Sequence, residues 1–428
     1  MLSVRDLSLA LRSGELSPVE HVRETLARLR DDPLNAVVAI APDAERVAEE
    51  RAAELARHEW RGPLHGVAVG VKDLFDVVGL PTRAGSAVTA DTPAAGEGPV
   101  ITRLREAGAV IVGKLATHEF AYGTTGDVSA AGPTRNPHDP TRITGGSSSG
   151  SAAAVAAGYV PLALGTDTGA SVRTPAALCG VVGLKPEFGV LSTEGVFPLA
   201  ETLDTVGVLA ADTHSAAVAW DVLSRPDGTG GGIQPPGISG AHVGVLVDEY
   251  WHAHDVSLDA SIRLLEKAGA EIVEIRTPFV AELAGVYADI VSAEAYATHR
   301  RWLADGAPYQ PETAERLGAV ADAPAWRYVA AQRTRRRLTA EFAAATADMD
   351  VLIAPTTRLR ATPIGERRTP QGHPVRTDLL DLTCPFNLTG WPAISVPAPD
   401  EGLPAGVQIV GRRLEERGIL RVAGVLER

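Results

Sequence analysis

The chain has 428 residues, 45% hydrophobic and only 5% aromatic, so it can bury a large core filled mainly by Ala, Val and Leu and is not a disordered protein. Its formal net charge is −13, and the densest basic cluster, Arg333-Thr-Arg-Arg-Arg337, reads as the solvated face of a helix rather than a nucleic-acid site. The two cysteines, Cys179 and Cys384, exclude a disulfide framework; no Cys/His cluster has metal-ligand spacing, and no signal peptide or membrane span is expected, so the reading is a cytoplasmic protein.

Apolar positions at helical spacing run from Leu7 and Leu11 to Val22, Leu26 and Leu29, with Ser17-Pro18 as cap and first turn of a second helix. A charged helix is expected from about Pro42 to His58. The period then changes: Val67, Val69 and Val71 alternate as in a strand that ends on Lys72. A helix over 100–107 and a strand over 109–112 follow. Ala152 to Ala157 predicts a helix of small side chains, Tyr159 to Leu164 a buried strand, and Gly165 to Ser171 the loop leaving it. The Gly/Pro-rich stretch 225–237 reads as a linker; strands are expected at 243–247, 271–275 and 350–354, with long helices over about 278–347.

Two glycine-flanked serine segments carry the chemistry: Gly145-Gly-Ser-Ser-Ser-Gly-Ser151 and Gly165-Thr-Asp-Thr-Gly-Ala-Ser171-Val-Arg173. Amide hydrolysis needs a nucleophile, a base and donors for the developing oxyanion. Ser171, in a loop after a strand, is the candidate nucleophile; the backbone N–H groups of Thr168, Gly169, Ala170 and Ser171 are the candidate oxyanion donors. No histidine stands in a motif near either loop, so the base falls to Lys72, whose amine must lose its charge through burial. Ser147 would bridge the two. Asp167 and Arg173 read as a buried ion pair holding the loop, His118 and His138 as surface histidines, and Cys179 as a small core thiol. The serine run lacks the Gly-Lys-[Ser/Thr] ending of a phosphate loop.

These segments resemble the amidase signature family, as do Gly66–Ser86, Leu104–Lys114, Glu119-Phe-Ala121, Cys179–Pro186 and Pro385–Pro392. The resemblance implies a Ser-Ser-Lys amide hydrolase, with Lys72 as base, Ser147 as a bridging serine on a cis peptide bond and Ser171 as the acylated nucleophile. It also implies an α/β fold: a single domain over 1–428, built on one large mixed sheet covered by helices on both faces. The N-terminal segment, about 1–60, is then helical and the region of about 278–347 a variable helical part. Ala121, Tyr122 and Gly123 match a segment lining the acyl pocket. No metal or organic cofactor is implied; the partner is a small-molecule amide, with no nucleic acid and no membrane, and a homodimer is allowed. Two related activities stay open: a glutaminase subunit of a tRNA-dependent amidotransferase, and an acyltransferase or non-hydrolytic binding protein. Thr144 and Ser149 depart from the usual proline and glycine. So does Ala170, in a position where the family usually has glycine; a positive φ there would cost alanine on the order of 1 kcal/mol.

Overall fold

The computed structural model describes residues 3–224, 237–253, 256–412 and 416–427. The expected linker at 225–237 therefore lies, but for Gly237, outside the described residues. Among the described residues thirteen strands occur in chain order: β1 (Val37–Ile40), β2 (Ala68–Lys72), β3 (Val110–Leu115), β4 (Arg135–Asn136), β5 (Asp139–Ile143), β6 (Leu162–Asp167), β7 (Val182–Lys185), β8 (Thr205–Ala210), β9 (His242–Leu246), β10 (Glu271–Ile275), β11 (Val351–Pro355), β12 (Ala393–Pro397) and β13 (Gly406–Gly411). Eleven of them form one sheet in the order β1-β3-β2-β6-β8-β7-β12-β13-β11-β9-β10, and β4 pairs with β5 alone. The sheet is mixed. β2 runs parallel to both β3 and β6, while β6, β8 and β7 alternate in direction.

Helices cover both faces, and the strand period shows it. Along β11, Val351 and Ile353 join one apolar cluster with Val22, Leu26 and the small-residue helix Ser149–Ala156. Leu352 and Ala354 join a second, with Leu283, Tyr287, Leu338 and Phe342 from the helices Glu282–Ala304 and Ala325–Ala345. Side chains two apart share a face, so a strand between two helical layers buries every position. β2 behaves this way, all five of its residues being buried.

The N-terminal helices form as expected. Val4–Ser13 ends on Gly14 in the left-handed region, and Pro18–Arg30 starts with Ser17 and Glu20 satisfying each other's backbone donors. The helix Ser149–Ala156 is built of small residues because backbone lies directly against it: a Cβ on Gly150 would come within 2.3 Å of Ala116 N and Ala36 O. Several boundaries differ from the sequence reading; β3, expected over 109–112, runs from Val110 to Leu115. β6 starts at Leu162 and continues through Gly165, Thr166 and Asp167, because Leu162–Asp167 pairs residue by residue with Ala210–Thr205 of β8. The loop carrying Ser171 is thus shorter than expected, beginning at Thr168. In the basic cluster, Arg333, Arg336 and Arg337 face solvent, but Arg335 turns inward, donating to the Leu388 and Thr202 carbonyls.

Candidate active site

Parallel pairing of β2 with β6 (Val69↔Leu162, Val71↔Leu164) sets their C-terminal ends side by side, the place where open α/β sheets gather ligand sites. Lys72 ends β2. Its amine is fully buried and hydrogen-bonds to the Ser147 hydroxyl at 2.7 Å and the Thr166 hydroxyl at 2.8 Å. Thr166 is a partner that the sequence reading did not single out. It lies inside the second serine segment, and the β2–β6 register brings it to Lys72. Burial lowers the Lys72 pKa to about 7, against the opposing charges of Asp167 and Asp204. Near neutral pH the amine is therefore substantially uncharged and able to accept a proton.

Ser147 precedes the helix Ser149–Ala156, and the Gly146–Ser147 peptide bond is cis. The Ser148 N–H donates to the Ser171 carbonyl at 3.1 Å, tying the two serine segments together. The Ser171 hydroxyl itself makes no hydrogen bond among the described residues, and Ser171 retains 5% exposure. No hydrogen bond links the Ser147 and Ser171 hydroxyls among the described residues.

Asp167 organises the loop around Ser171. Its carboxylate accepts from the Val172 N–H (3.0 Å), the Arg173 guanidinium (2.9 and 3.1 Å) and the Asn387 amide (2.8 Å). Burial works against the charge, but Arg173 and Asn387 outweigh it and hold the Asp167 pKa at about 2. Arg173 also donates to the Asn387 and Gln408 side chains. The expected ion pair is therefore the centre of a larger network, reaching over two hundred residues along the chain. Across the loop, the Thr168 hydroxyl donates to Asp204 at 2.6 Å. Buried Asp204 also accepts from the Leu199 and Ala200 N–H groups, and its burial raises its pKa to about 6. Asn387 falls in the family-like segment Pro385–Pro392, whereas Asp204 and Gln408 lie outside every segment that carries the resemblance, so nothing local marks those two.

Clamped this way, the loop leaves donors free. Among the described residues the backbone N–H groups of Gly169, Ala170 and Ser171 find no acceptor in the protein, although all three residues are buried. Buried backbone donors are rarely orphaned, so the array suits an incoming negative oxygen. Gly169 has a packing reason to be glycine: a Cβ would meet the Tyr287 hydroxyl at 2.2 Å. Ala170 is not a strained position. Among the described residues the non-glycine positions with positive φ are Asn35, His58, Ala84, Phe120 and Ala121, so the expected cost at Ala170 does not arise, and its methyl packs in the second apolar cluster.

The segment 121–123 lies against the Ser147 loop, since the His118 N–H donates to the Ser147 carbonyl at 3.0 Å. Phe120 and Ala121 have φ values of 49° and 58°, an uncommon conformation that over-determined surroundings must hold. Arg316 supplies part of that hold by donating to the Tyr122 carbonyl. His118 is a correction: it is fully buried, not on the surface. Its Nδ1 accepts from the Gly126 N–H at 3.3 Å, and its Nε2 packs where a Cβ on Gly123 would stand. Burial, with Arg316 nearby, keeps the ring uncharged. His138 is exposed and Cys179 is buried, as expected, with burial pushing the thiol pKa up.

A cavity of about 1140 Å³ opens at the far end of the sheet, lined by Trp251, Asp248, Glu274 and Asp400 among others, but none of Lys72, Ser147 and Ser171 reaches it. Among the described residues no group of three His, Cys, Asp or Glu side chains is arranged to hold a metal ion, and no helix is long and apolar enough to cross a membrane.

Residues 20–420 match the Amidase family model. The chain belongs to the amidase family. This amidase is 36% identical to a glutamyl-tRNA(Gln) amidotransferase subunit of Chloroflexus aurantiacus, over 100% of the chain and 96% of the relative. It is 37% identical to AtzE, a 1-carboxybiuret hydrolase subunit, of Pseudomonas sp. (strain ADP), over 97% and 96%. A solved amidase structure superimposes with a TM-score of 0.92 at 35% identity, covering 100% of this chain and 99% of that one. The mixed eleven-stranded sheet is thus the amidase fold, and this amidase is an enzyme of the class that hydrolyses carbon–nitrogen bonds.

Proposed function

We propose that the protein hydrolyses a small linear amide through an acyl-Ser171 intermediate. The observation that carries this reading is the fully buried amine of Lys72 hydrogen-bonded to the Ser147 hydroxyl, with burial lowering its pKa to about 7. On substrate binding, the Ser171 hydroxyl passes its proton to the Ser147 oxygen while the Ser147 proton moves to Lys72. The Ser171 oxygen attacks the amide carbon, and the carbonyl π electrons move onto oxygen. The N–H groups of Thr168, Gly169, Ala170 and Ser171 stabilise that oxyanion. As the tetrahedral adduct collapses, the carbon–nitrogen bond breaks, and the departing amine takes a proton returned from Lys72 through Ser147. Water then repeats the sequence on the acyl-enzyme, releasing the acid and free Ser171.

A fluorophosphonate should label Ser171, located by peptide mapping, and Lys72→Ala should lose labelling while keeping its circular dichroism spectrum. Labelling of that variant at the wild-type rate would remove Lys72 from the role of base.

A second reading is favoured by the relative that serves in a tRNA amidotransferase: a glutaminase component delivering ammonia to a partner. Co-purification of a stable partner with glutamine-dependent amide formation would select it. A lone chain hydrolysing simple amides would select the first. Acyl transfer to an amine in place of water uses the same acylation half-reaction and is told apart by product analysis with added amine.

A further inference from the structure

We infer that the cavity at the far end of the sheet is a second binding site, separate from Ser171, whose ligand is an organic amine with an apolar body. Topology supplies the first reason. β10, β9 and β11 lie side by side and parallel, with Leu246 opposite Ile275 and Val245 opposite Ile353. From β9 the chain runs to the helix Asp259–Lys267, whose Leu265 packs in the first apolar cluster. From β10 it runs to the helix Glu282–Ala304, whose Leu283 and Tyr287 pack in the second cluster, on the opposite face. Two parallel neighbours whose connections leave toward opposite faces open a crevice beyond their carboxyl ends, where sheets of this kind hold ligands. The cavity of about 1140 Å³ is that crevice: its wall takes in residues 245–249 at the end of β9, Ile272 and Glu274 of β10, and Pro355, the last residue of β11.

Its lining has two characters. The inner wall is apolar, with Leu246 and Trp251 buried and Ile262 and Ile272 half-buried. Around it stand six carboxylates, Asp248, Glu249, Asp259, Glu274, Asp400 and Glu401. Against them the lining holds one guanidinium, Arg360, which pairs with Asp400 at 3.2 Å and donates to the Glu401 carbonyl, and one imidazole, His252. Arg358, behind the wall, donates to the His252 carbonyl and faces Asp378 and Asp381; Arg263 and Arg276, near lining residues in sequence, do not line the cavity. Asp248 accepts from the Thr277 N–H and hydroxyl. The carboxylates of Glu249, Asp259, Glu274 and Glu401 make no ion pair or hydrogen bond among the described residues.

Unpaired charge of one sign around a low-dielectric wall focuses its field on whatever enters. A bare metal ion does not match the site, because among the described residues no three acids converge as ligands, and an ion would leave the apolar wall uncovered. An ammonium group on an apolar body meets both parts: the charge stays among the carboxylates while the body leaves water against Leu246, Trp251, Ile262 and Ile272. None of Lys72, Ser147 and Ser171 reaches this cavity, so the inference does not rest on the acyl-Ser171 reading.

The test is isothermal titration calorimetry of the full chain at neutral pH with naphthylmethylamine, its neutral isostere naphthylmethanol and the anionic naphthoate. The amine is expected to bind about tenfold tighter than the alcohol or better, and naphthoate more weakly than either. Glu249 and Glu274 are exposed, so the double variant Glu249→Gln, Glu274→Gln should keep the wild-type circular dichroism spectrum, lower the amine affinity about fivefold or more, and leave the alcohol affinity unchanged. Equal affinity for amine and alcohol, or an amine affinity untouched by the double variant, overturns the inference. So does saturable binding of Ca²⁺ or of a Lys-rich peptide with none of the amine. Labelling of Ser171 by a fluorophosphonate is a separate measurement, and it tests the hydrolytic reading whichever way the titration falls.

Discussion

The amine of Lys72 should show itself in the pH dependence of acylation. Burial lowers its pKa from 10.5 to about 7, which corresponds to about 5 kcal/mol against the charged form. Only the neutral amine accepts a proton, so the rate at which a fluorophosphonate labels Ser171 should fall about tenfold per pH unit below 7 and level off above 8. Between pH 7 and pH 9 the rate should rise only about twofold, whereas a lysine of ordinary pKa would give roughly a hundredfold rise over the same interval. Lys72→Met should remove the limb and slow labelling by about a hundredfold or more. The same group must cost the fold stability. Its folded-state pKa lies below its unfolded value, so the penalty is fully present below about pH 7 and fades as pH rises toward 10.5. Lys72→Met should therefore melt at a higher temperature than wild type near pH 6, with the gain shrinking toward pH 10. A labelling rate that keeps climbing tenfold per unit above pH 8, or a Lys72→Met protein labelled as fast as wild type, would refute the reasoning.

Thr166→Val deletes the second acceptor of the Lys72 amine and should slow labelling about tenfold, the worth of one buried hydrogen bond, with the fold unchanged by circular dichroism. Arg173→Ala leaves the Asp167 carboxylate buried without its cation and should lower unfolding free energy by about 3–5 kcal/mol in urea titration; a loss below about 1 kcal/mol would mean the Asn387 and backbone donors suffice. Because Ala170 does not occupy the positive-φ region, Ala170→Gly relieves nothing. Its labelling rate should stay within about threefold of wild type, its chief effect being a stability loss of roughly 1 kcal/mol from added chain freedom. Activity appearing only in Ala170→Gly would instead mark the natural protein as a non-hydrolytic one.

Local chemistry is what made Lys72, Ser147 and Ser171 readable from the chain itself. Alternating apolar residues ending on a lysine, and two serines bracketed by glycines, are patterns a few residues long whose meaning depends on backbone conformation and burial nearby. The helices Val4–Ser13 and Pro18–Arg30 were legible for the same reason, their caps and apolar stripes being local. β7, β8, β12 and β13 were not, because they are short runs in which Gly and small residues weaken the periodic signal.

What only the tertiary structure decided is which distant groups complete the site. Thr166 reaches Lys72 through the β2–β6 register, and Asp204, Asn387 and Gln408 reach the Ser171 loop from β-sheet neighbours and a short helix far along the chain. His118 shows the same limit from the other side, since a lone histidine outside any metal-ligand spacing gives no hint that the fold closes over it. Burial is a property of what packs against a residue, and hydrogen bonds between segments two hundred residues apart depend on sheet order. A sequence motif can nominate a lysine as a base, but the loss of its charge comes from the layers that exclude water around it.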